Sequence, residues 1–185
     1  YQEVLLADPL DRAELRRCAT TPPPPNLRIN RLAPQAELLR SALANKGACA
    51  PWCRDSFVME DTAPLGHTLE YALGAIYIQA KATTLAVETL DPQPGERVLD
   101  MAASPGGKAT QIAAHMGNSG LLIANEPRLK RIPGLVGNLQ RLGVANAIVT
   151  QLEGSLLARH FHNFFDRVLL DAPCSCDGIF RKDNS

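Results

Sequence analysis

The stretch Arg97-Val98-Leu99-Asp100-Met101-Ala102-Ala103-Ser104-Pro105-Gly106-Gly107-Lys108 decides the fold. Pro94 and Gly95 end what precedes it, Val98, Leu99 and Met101 supply a short apolar run, and Pro105, Gly106 and Gly107 force a turn before the next helical pattern. The order is strand, tight turn, helix start. Glycines at such a turn let backbone approach a ligand closely, and the unpaired N–H groups of a helix start favour an electronegative group. An adenosine-bearing cofactor is therefore expected, with an ordinary βα turn that binds nothing as the plain alternative.

Two commoner phosphate motifs fail on the same letters. A P-loop needs Gly at 102 and Ser or Thr at 109, where this chain has Ala102 and Ala109. The dinucleotide fingerprint G-x-G-x-x-G is absent as well. What remains is Asp100 at a strand end, a turn of small residues, and Glu126 at the end of the next expected strand, where a carboxylate holds ribose hydroxyls well.

Downstream the pattern is regular. Strands are expected at 97–101, 120–125, 146–150 and 166–171, with helices at 106–116 and 128–142 and a helical or looped segment before the last strand. Such alternation implies a parallel sheet with right-handed crossovers. Each strand ends in or beside an acid, Asp100, Glu126, Glu153 and Asp171, and acids gathered at the carboxyl edge of such a sheet stand where open α/β folds bind ligands.

Upstream, residues 1–19 read as a short amphipathic helix and 20–25 as an extended proline linker. A small α+β unit should follow, with a strand at 26–30, a helix at 35–46 and a second strand at 57–59. Arg28, Arg31, Arg40, Lys46 and Arg54 would give that unit a basic face, suited to RNA or simply solvated. Trp52 is either a stacking group or, more ordinarily, a tryptophan buried under a loop. Beyond 66, a helix at 68–73, a strand at 74–79 and a helix at 80–90 lead into the opening stretch.

Composition narrows the classes. The 185 residues are 45% hydrophobic, enough to bury a core, and 19 basic residues balance 19 acidic ones, so any nucleic-acid binding must rest on a local patch. No apolar run is long enough to span a bilayer and no signal pattern opens the chain, which points to the cytoplasm or an organelle matrix. Five cysteines without C-x-x-C spacing fit reduced thiols better than a metal site.

A second motif, Asp171-Ala172-Pro173-Cys174-Ser175-Cys176-Asp177-Gly178, follows the apolar strand of residues 167–170. Together with 99–108 it resembles the Nop/Sun family of RNA cytosine-5 methyltransferases, in its bacterial ribosomal-RNA branch. Asn26-Leu27-Arg28-Ile29-Asn30 resembles the opening of that family's RNA-binding domain, and Gly74-Ala75-Ile76-Tyr77-Ile78-Gln79 resembles the lead-in to its catalytic domain. The resemblance implies a Rossmann-like S-adenosylmethionine-dependent methyltransferase sheet, here incomplete, preceded by a small α+β RNA-binding domain. The expected division is 1–25 for the helix and linker, 26–66 for the RNA-recognition-like domain, and 67–185 for the first part of the catalytic domain.

Carried over by position, Ala102, Ala103, Ser104, Pro105, Gly106, Gly107 and Lys108 would line the methionine and ribose end of the cofactor. Glu126 would hold the ribose hydroxyls, Arg131 would support the adenosine site, and Glu153 would lie by the adenine amino group. Asp171 would face both the methyl donor and the N3 and N4 edge of cytosine, and Cys174 would assist product release. The chemistry requires a thiolate to add to C6 so that C5 becomes electron-rich enough to take a methyl group from the sulfonium cofactor, after which a base removes the C5 proton and the thiol leaves. The target must be unstacked, so single-stranded or opened RNA is expected, ribosomal or transfer. Neither metal nor membrane is called for, and the protein is expected to act as a monomer.

The chain departs from the family in places. Ala80 replaces an acidic residue, Glu153 replaces Asp, and Cys176 replaces a small residue. The attacking cysteine belongs to a later Thr-Cys motif that does not occur before Ser185. A fragment of a longer enzyme is expected; the alternative is a catalytically inactive methyltransferase-like protein that binds RNA or assists ribosome assembly.

Overall fold

The computed structural model describes residues 23–59 and 64–172, with 13, 14 and 17 from the N-terminal stretch. Contacts gather Pro25–Ala172 into one compact unit and Tyr1–Pro24 with Pro173–Ser185 into another. Of the second, Glu14 and Arg17 form an ion pair at 2.5 Å along one helical turn. The rest of the N-terminal helix expected at 1–19 lies outside the described residues.

The larger unit begins with an antiparallel sheet. Strands β1 (Asn26–Ile29), β2 (Gly47–Ala50), β3 (Cys53–Met59) and β4 (Ile76–Ile78) are ordered β2-β3-β1-β4. Leu27 and Ile29 alternate onto one face, where they pack with Phe57, Met59 and Ile76 against Leu39 and Leu43 of helix α1 (Ala36–Leu43). The other face is also covered, which sequence alternation alone did not disclose, so every residue of β1 is buried.

Two expectations are corrected here. Strand β4 pairs with β1 through Leu27↔Ile78 and Ile29↔Ile76, so the first sheet runs past the boundary drawn at 66 and borrows a strand from the segment after it. The five-residue basic face does not form: Arg28 is buried at 2% exposure, and Arg31 and Arg40 both pair with Asp55, leaving Lys46 and Arg54 exposed. A hairpin strand was also missed, because Gly47-Ala48-Cys49-Ala50 has none of the β-branched residues that mark strands. Trp52 in its turn is half-buried and donates to Thr84 Oγ1 at 3.0 Å, the ordinary structural role.

After a 3₁₀ turn (Leu65–His67) and helix α2 (Leu69–Ala72), α3 (Thr83–Leu90) leads into the parallel sheet. Its strands are β5 (Arg97–Asp100), β6 (Leu121–Asn125), β7 (Ala147–Thr150) and β8 (Arg167–Leu169), ordered β7-β6-β5-β8. Helices α4 (Gly107–His115), α5 (Ile132–Arg141) and α6 (Gly154–His160) make the crossovers. Val98 and Leu99 in β5, and Leu122, Ile123 and Ala124 in β6, are buried in unbroken runs, as strands covered on both faces require. Small residues Ala109 and Ala113 let α4 lie close to the sheet, while Ile112 and Met116 fill the core beside it. Burying a side chain such as Ile112 stabilises by about 2 kcal/mol.

Helix α5 fastens the two sheets together. Asn30 Nδ2 donates to Gly74 O and to Leu142 O, both at 2.9 Å, and Arg141 Nη1 donates to Tyr71 O at 2.7 Å. Gly74 lies at φ +70°, and a Cβ there would stand 1.8 Å from Arg141 O, so no other residue fits this joint.

Candidate active site

The strand order places a switch between β5 and β8: the chain runs outward from β5 to β7 on one side, then crosses back to lay β8 on the other. The crevice beyond the carboxyl ends of strands at such a point is where open α/β sheets bind ligands. Here it is a cavity of about 210 Å³ with Tyr77, Gln79 and Thr83 on one wall, the loop from Ala102 to Lys108 on the other, and Asp171 just past β8.

The loop is shaped by its glycines and held by its neighbours. Gly106 lies at φ +111°, and a Cβ at Gly107 would stand 3.0 Å from Gln79 Oε1 and 3.1 Å from Tyr77 Cε1. Any side chain would fill the cradle. Arg131 Nη2 donates to Ser104 O at 2.7 Å, Ser104 Oγ donates to Arg131 O at 2.9 Å, and Asn138 Nδ2 donates to Pro105 O at 2.8 Å. The loop backbone is thus tied to the start and middle of the α5 crossover.

Three acids stand along the rim. Asp100 is 1% exposed, and its Oδ1 accepts only a long bond, 3.4 Å, from Ala102 N. Burial pushes its carboxyl up to about 7; Ala102 N–H and Lys108 pull it down, while Asp171 and Glu126 add repulsion. Glu126 is also 1% exposed; its Oε1 accepts from Arg128 N at 2.9 Å. Its Oε2 lies 3.3 Å from Arg131 Nη1 without the alignment of a hydrogen bond. Asp171 is the exposed one, and its Oδ2 meets Lys108 Nζ at 2.6 Å.

Asn125, which sequence reasoning passed over, fixes this edge. Its Nδ2 donates to Met101 O at 3.1 Å and Leu152 O at 2.9 Å, while its Oδ1 accepts from Leu152 N and Thr150 Oγ1, both at 2.9 Å. One buried amide therefore joins the ends of β5, β6 and β7. The available signal was a polar residue at the last position of an otherwise apolar buried strand.

A nucleoside cofactor needs a concave rim that bare backbone can form and an acceptor for ribose hydroxyls. Gly106 and Gly107 supply the first, and the unsatisfied, buried Glu126 Oε2 supplies the second, so the residues present fit such a group. Of the positions named from sequence, the structure brings the loop 102–108 and Asp171 to one cavity, with Glu126 and Arg131 joined to the loop from behind. Glu153 stands apart: it is exposed, precedes α6, and its side chain bonds to nothing among the described residues. Cys174 lies outside the described residues.

Comparison with known proteins agrees with this geometry. The family profile described as 16S rRNA methyltransferase RsmB/F matches residues 87–185. The chain is 44% identical over 169 residues to the 26S rRNA (cytosine-C(5))-methyltransferase nsun-1 of Caenorhabditis elegans, covering 89% of this chain and 26% of that protein. It is 46% identical over 139 residues to the ribosomal RNA small subunit methyltransferase F of Erwinia tasmaniensis, covering 72% of this chain and 29% of that protein. The chain thus spans less than a third of the length of these curated relatives. A crystal structure of a methyltransferase homologue from Pyrococcus horikoshii superposes with a TM-score of 0.81 at 32% identity, covering 94% of this chain and 58% of that one. NSun6 from the same organism, solved with SFG, shares the fold at a TM-score of 0.75 and 19% identity, covering 89% of this chain and 67% of that one. With the profile covering more than half of the chain and the strand order, switch-point crevice and glycine loop all in place, this chain belongs to the RsmB/F family of 16S rRNA methyltransferases.

Proposed function

We propose that residues 25–172 hold S-adenosylmethionine and present the target base in an RNA cytosine-5 methyltransferase whose substrate is ribosomal RNA. The carrying observation is the cavity at the β5/β8 switch, where Asp171 and Lys108 stand at the mouth of a glycine cradle backed by the half-satisfied Glu126. When bound, S-adenosylmethionine supplies a methyl group made electrophilic by its sulfonium.

The loop 102–108 would take the methionine and ribose end, Glu126 would accept the ribose hydroxyls, and Arg131 would hold loop and carboxylate in register. Glu153, at the end of the neighbouring strand, would reach the adenine end. Asp171 would accept from the N4 amino group of cytosine and share a proton with N3 as negative charge builds there, stabilising the electron-rich adduct, and Lys108 at 2.6 Å keeps that carboxyl group in place. Cys174 would act in product release. The enzyme would work as a monomer in the cytoplasm or an organelle matrix, without metal. No helix among the described residues is long and apolar enough to cross a membrane, and no cluster of metal-ligating side chains occurs among them.

The test uses protein expressed from its complete reading frame, labelled S-adenosylmethionine and protein-free ribosomal RNA. Label should appear at C5 of cytosine, and Asp171→Asn should abolish transfer while leaving the cofactor dissociation constant within a few-fold. Cofactor binding by the wild type without transfer to any RNA would overturn the enzymatic reading and favour an RNA-binding role.

A further inference from the structure

The cavity has a second wall that the proposed chemistry leaves without work. Gln79 follows β4, and its backbone is fixed on both sides by β1: Gln79 N donates to Asn26 O at 3.1 Å, and Asn26 Nδ2 donates to Gln79 O at 3.2 Å. Its side chain lines the cavity and packs beside Gly107 of the loop. The terminal amide has no hydrogen-bond partner among the described residues, and its Nε2 is closed off from water. An orphaned amide on a cavity wall is a group whose hydrogen bonding is left for something outside the chain.

We propose that the Gln79 amide reads the O2 carbonyl of the target pyrimidine. The inference rests on the functional reading above. If the cofactor follows the loop 102–108 toward Glu126, its wall is taken, and whatever stands before the methyl group meets Tyr77 and Gln79 instead. A cytosine held at N3 and N4 by Asp171 still lacks a donor for O2, the next acceptor around the ring. Lys108 is already paired with Asp171, whereas the Gln79 amide is unclaimed. Neither end of the amide is fixed by a partner, so a half-turn of its soft terminal torsion exchanges the two, seating the oxygen in the sealed position and presenting N–H to the cavity without changing the shape of the side chain. Anchoring the ring at N4, N3 and O2 leaves the opposite C5–C6 edge facing the reacting groups. Gly107 makes this approach sterically available, since a Cβ there would press on both Gln79 and Tyr77.

The experiment compares RNA oligonucleotides carrying cytidine or 2-thiocytidine at the modified position, with wild-type protein and the variants Gln79→Met and Gln79→Glu, all from the complete reading frame. Sulfur is a poor acceptor, so 2-thiocytidine should lower wild-type kcat/KM about tenfold, as should Gln79→Met on cytidine. The two losses should not multiply when combined, and cofactor affinity should stay within twofold. Gln79→Glu, of the same size without the donor, should match Gln79→Met. Wild-type indifference to 2-thiocytidine would overturn the assignment without requiring any variant to fold, as would losses that multiply or that track cofactor affinity. Wild-type protein that methylates no RNA would instead defeat the functional reading, and this inference with it.

Discussion

Asp55 in the first sheet and Asp100 in the second are hidden from water to the same degree, 2% and 1% exposed. Asp55 accepts from Arg40 Nη2 at 2.5 Å and is also bonded by Arg31; burial pushes its carboxyl up, but the two guanidiniums outweigh that and hold it below the ordinary range. Asp100 has a single long bond from Ala102 N, and burial carries its carboxyl up to about 7. Burial is common to both; partnership is not. Where a buried charge is answered within the chain, as at Asp55, it organises structure. At the rim, where Asp100 Oδ2 and the Gln79 amide have no hydrogen-bond partner among the described residues and Glu126 Oε2 has only the unaligned Arg131 guanidinium at 3.3 Å, it marks the place that awaits a ligand.

The most severe way to break this contrast is Asp55→Ala. It strands Arg31 and leaves Arg40 with only the exposed Glu37, the two arginine side chains being 27% and 17% exposed, and the loss should be about 3 kcal/mol in urea denaturation. Because the native carboxyl is depressed, its contribution is complete above the ordinary value of 3.8 and fades as pH falls through the native one. Cofactor affinity of the folded variant should be unchanged. A loss below about 1 kcal/mol would show that Asp55 and its arginines are ordinary surface pairs.

This contrast also sets what could be read from sequence. The parallel sheet was legible because Val98, Leu99, Leu122 and Ile123 form apolar runs punctuated by glycine and proline, and that punctuation is local chemistry. The loop 102–108 and Asp171 were legible for the same reason, each being a turn at a strand end. Arg28 was not. In Asn26-Leu27-Arg28-Ile29-Asn30 the polar set looks solvent-facing, yet that face is covered by α4, where Arg28 Nη2 donates to Thr110 Oγ1 at 2.8 Å and the guanidinium lies 5.7 Å from the Tyr77 ring. Burial lowers the Arg28 pKa to about 10, the mark of a charge placed by long-range packing that no local window contains. Asn125 and Gln79 escaped notice because their partners, or the lack of them, lie dozens of residues away.

A milder perturbation sharpens the rim side of the comparison. Asn125→Ala removes the four bonds that join Met101, Thr150 and Leu152, and should cost about 2–3 kcal/mol in the same denaturation experiment. It should also weaken cofactor binding several-fold through the loosened end of β5, where Asp55→Ala should not. Loss of stability with cofactor affinity intact would show that the strand ends are positioned by packing alone.

The smallest effect has the opposite sign. Asp100→Asn keeps the bond from Ala102 N and removes a carboxyl that burial holds at about 7 against an ordinary 3.8. That interval corresponds to roughly 4 kcal/mol at its limit, and burying the new, unpaired amide NH₂ offsets about 1–3 kcal/mol of it. A net stabilisation of about 1–2 kcal/mol is expected at pH 8. The sign follows from proton uptake: between 3.8 and about 7 the native state binds the proton that the unfolded chain has released. Wild-type stability should therefore decline as pH rises through that window, a slope that Asp100→Asn lacks. Urea midpoints measured from pH 4 to pH 8 should cross, with the wild type ahead at the acid end, where only the cost of the amide is felt, and the variant ahead at the alkaline end. Parallel curves would mean that Asp100 is answered by groups as effective as those at Asp55, and the distinction between a satisfied and a waiting carboxylate would fail at its own test case.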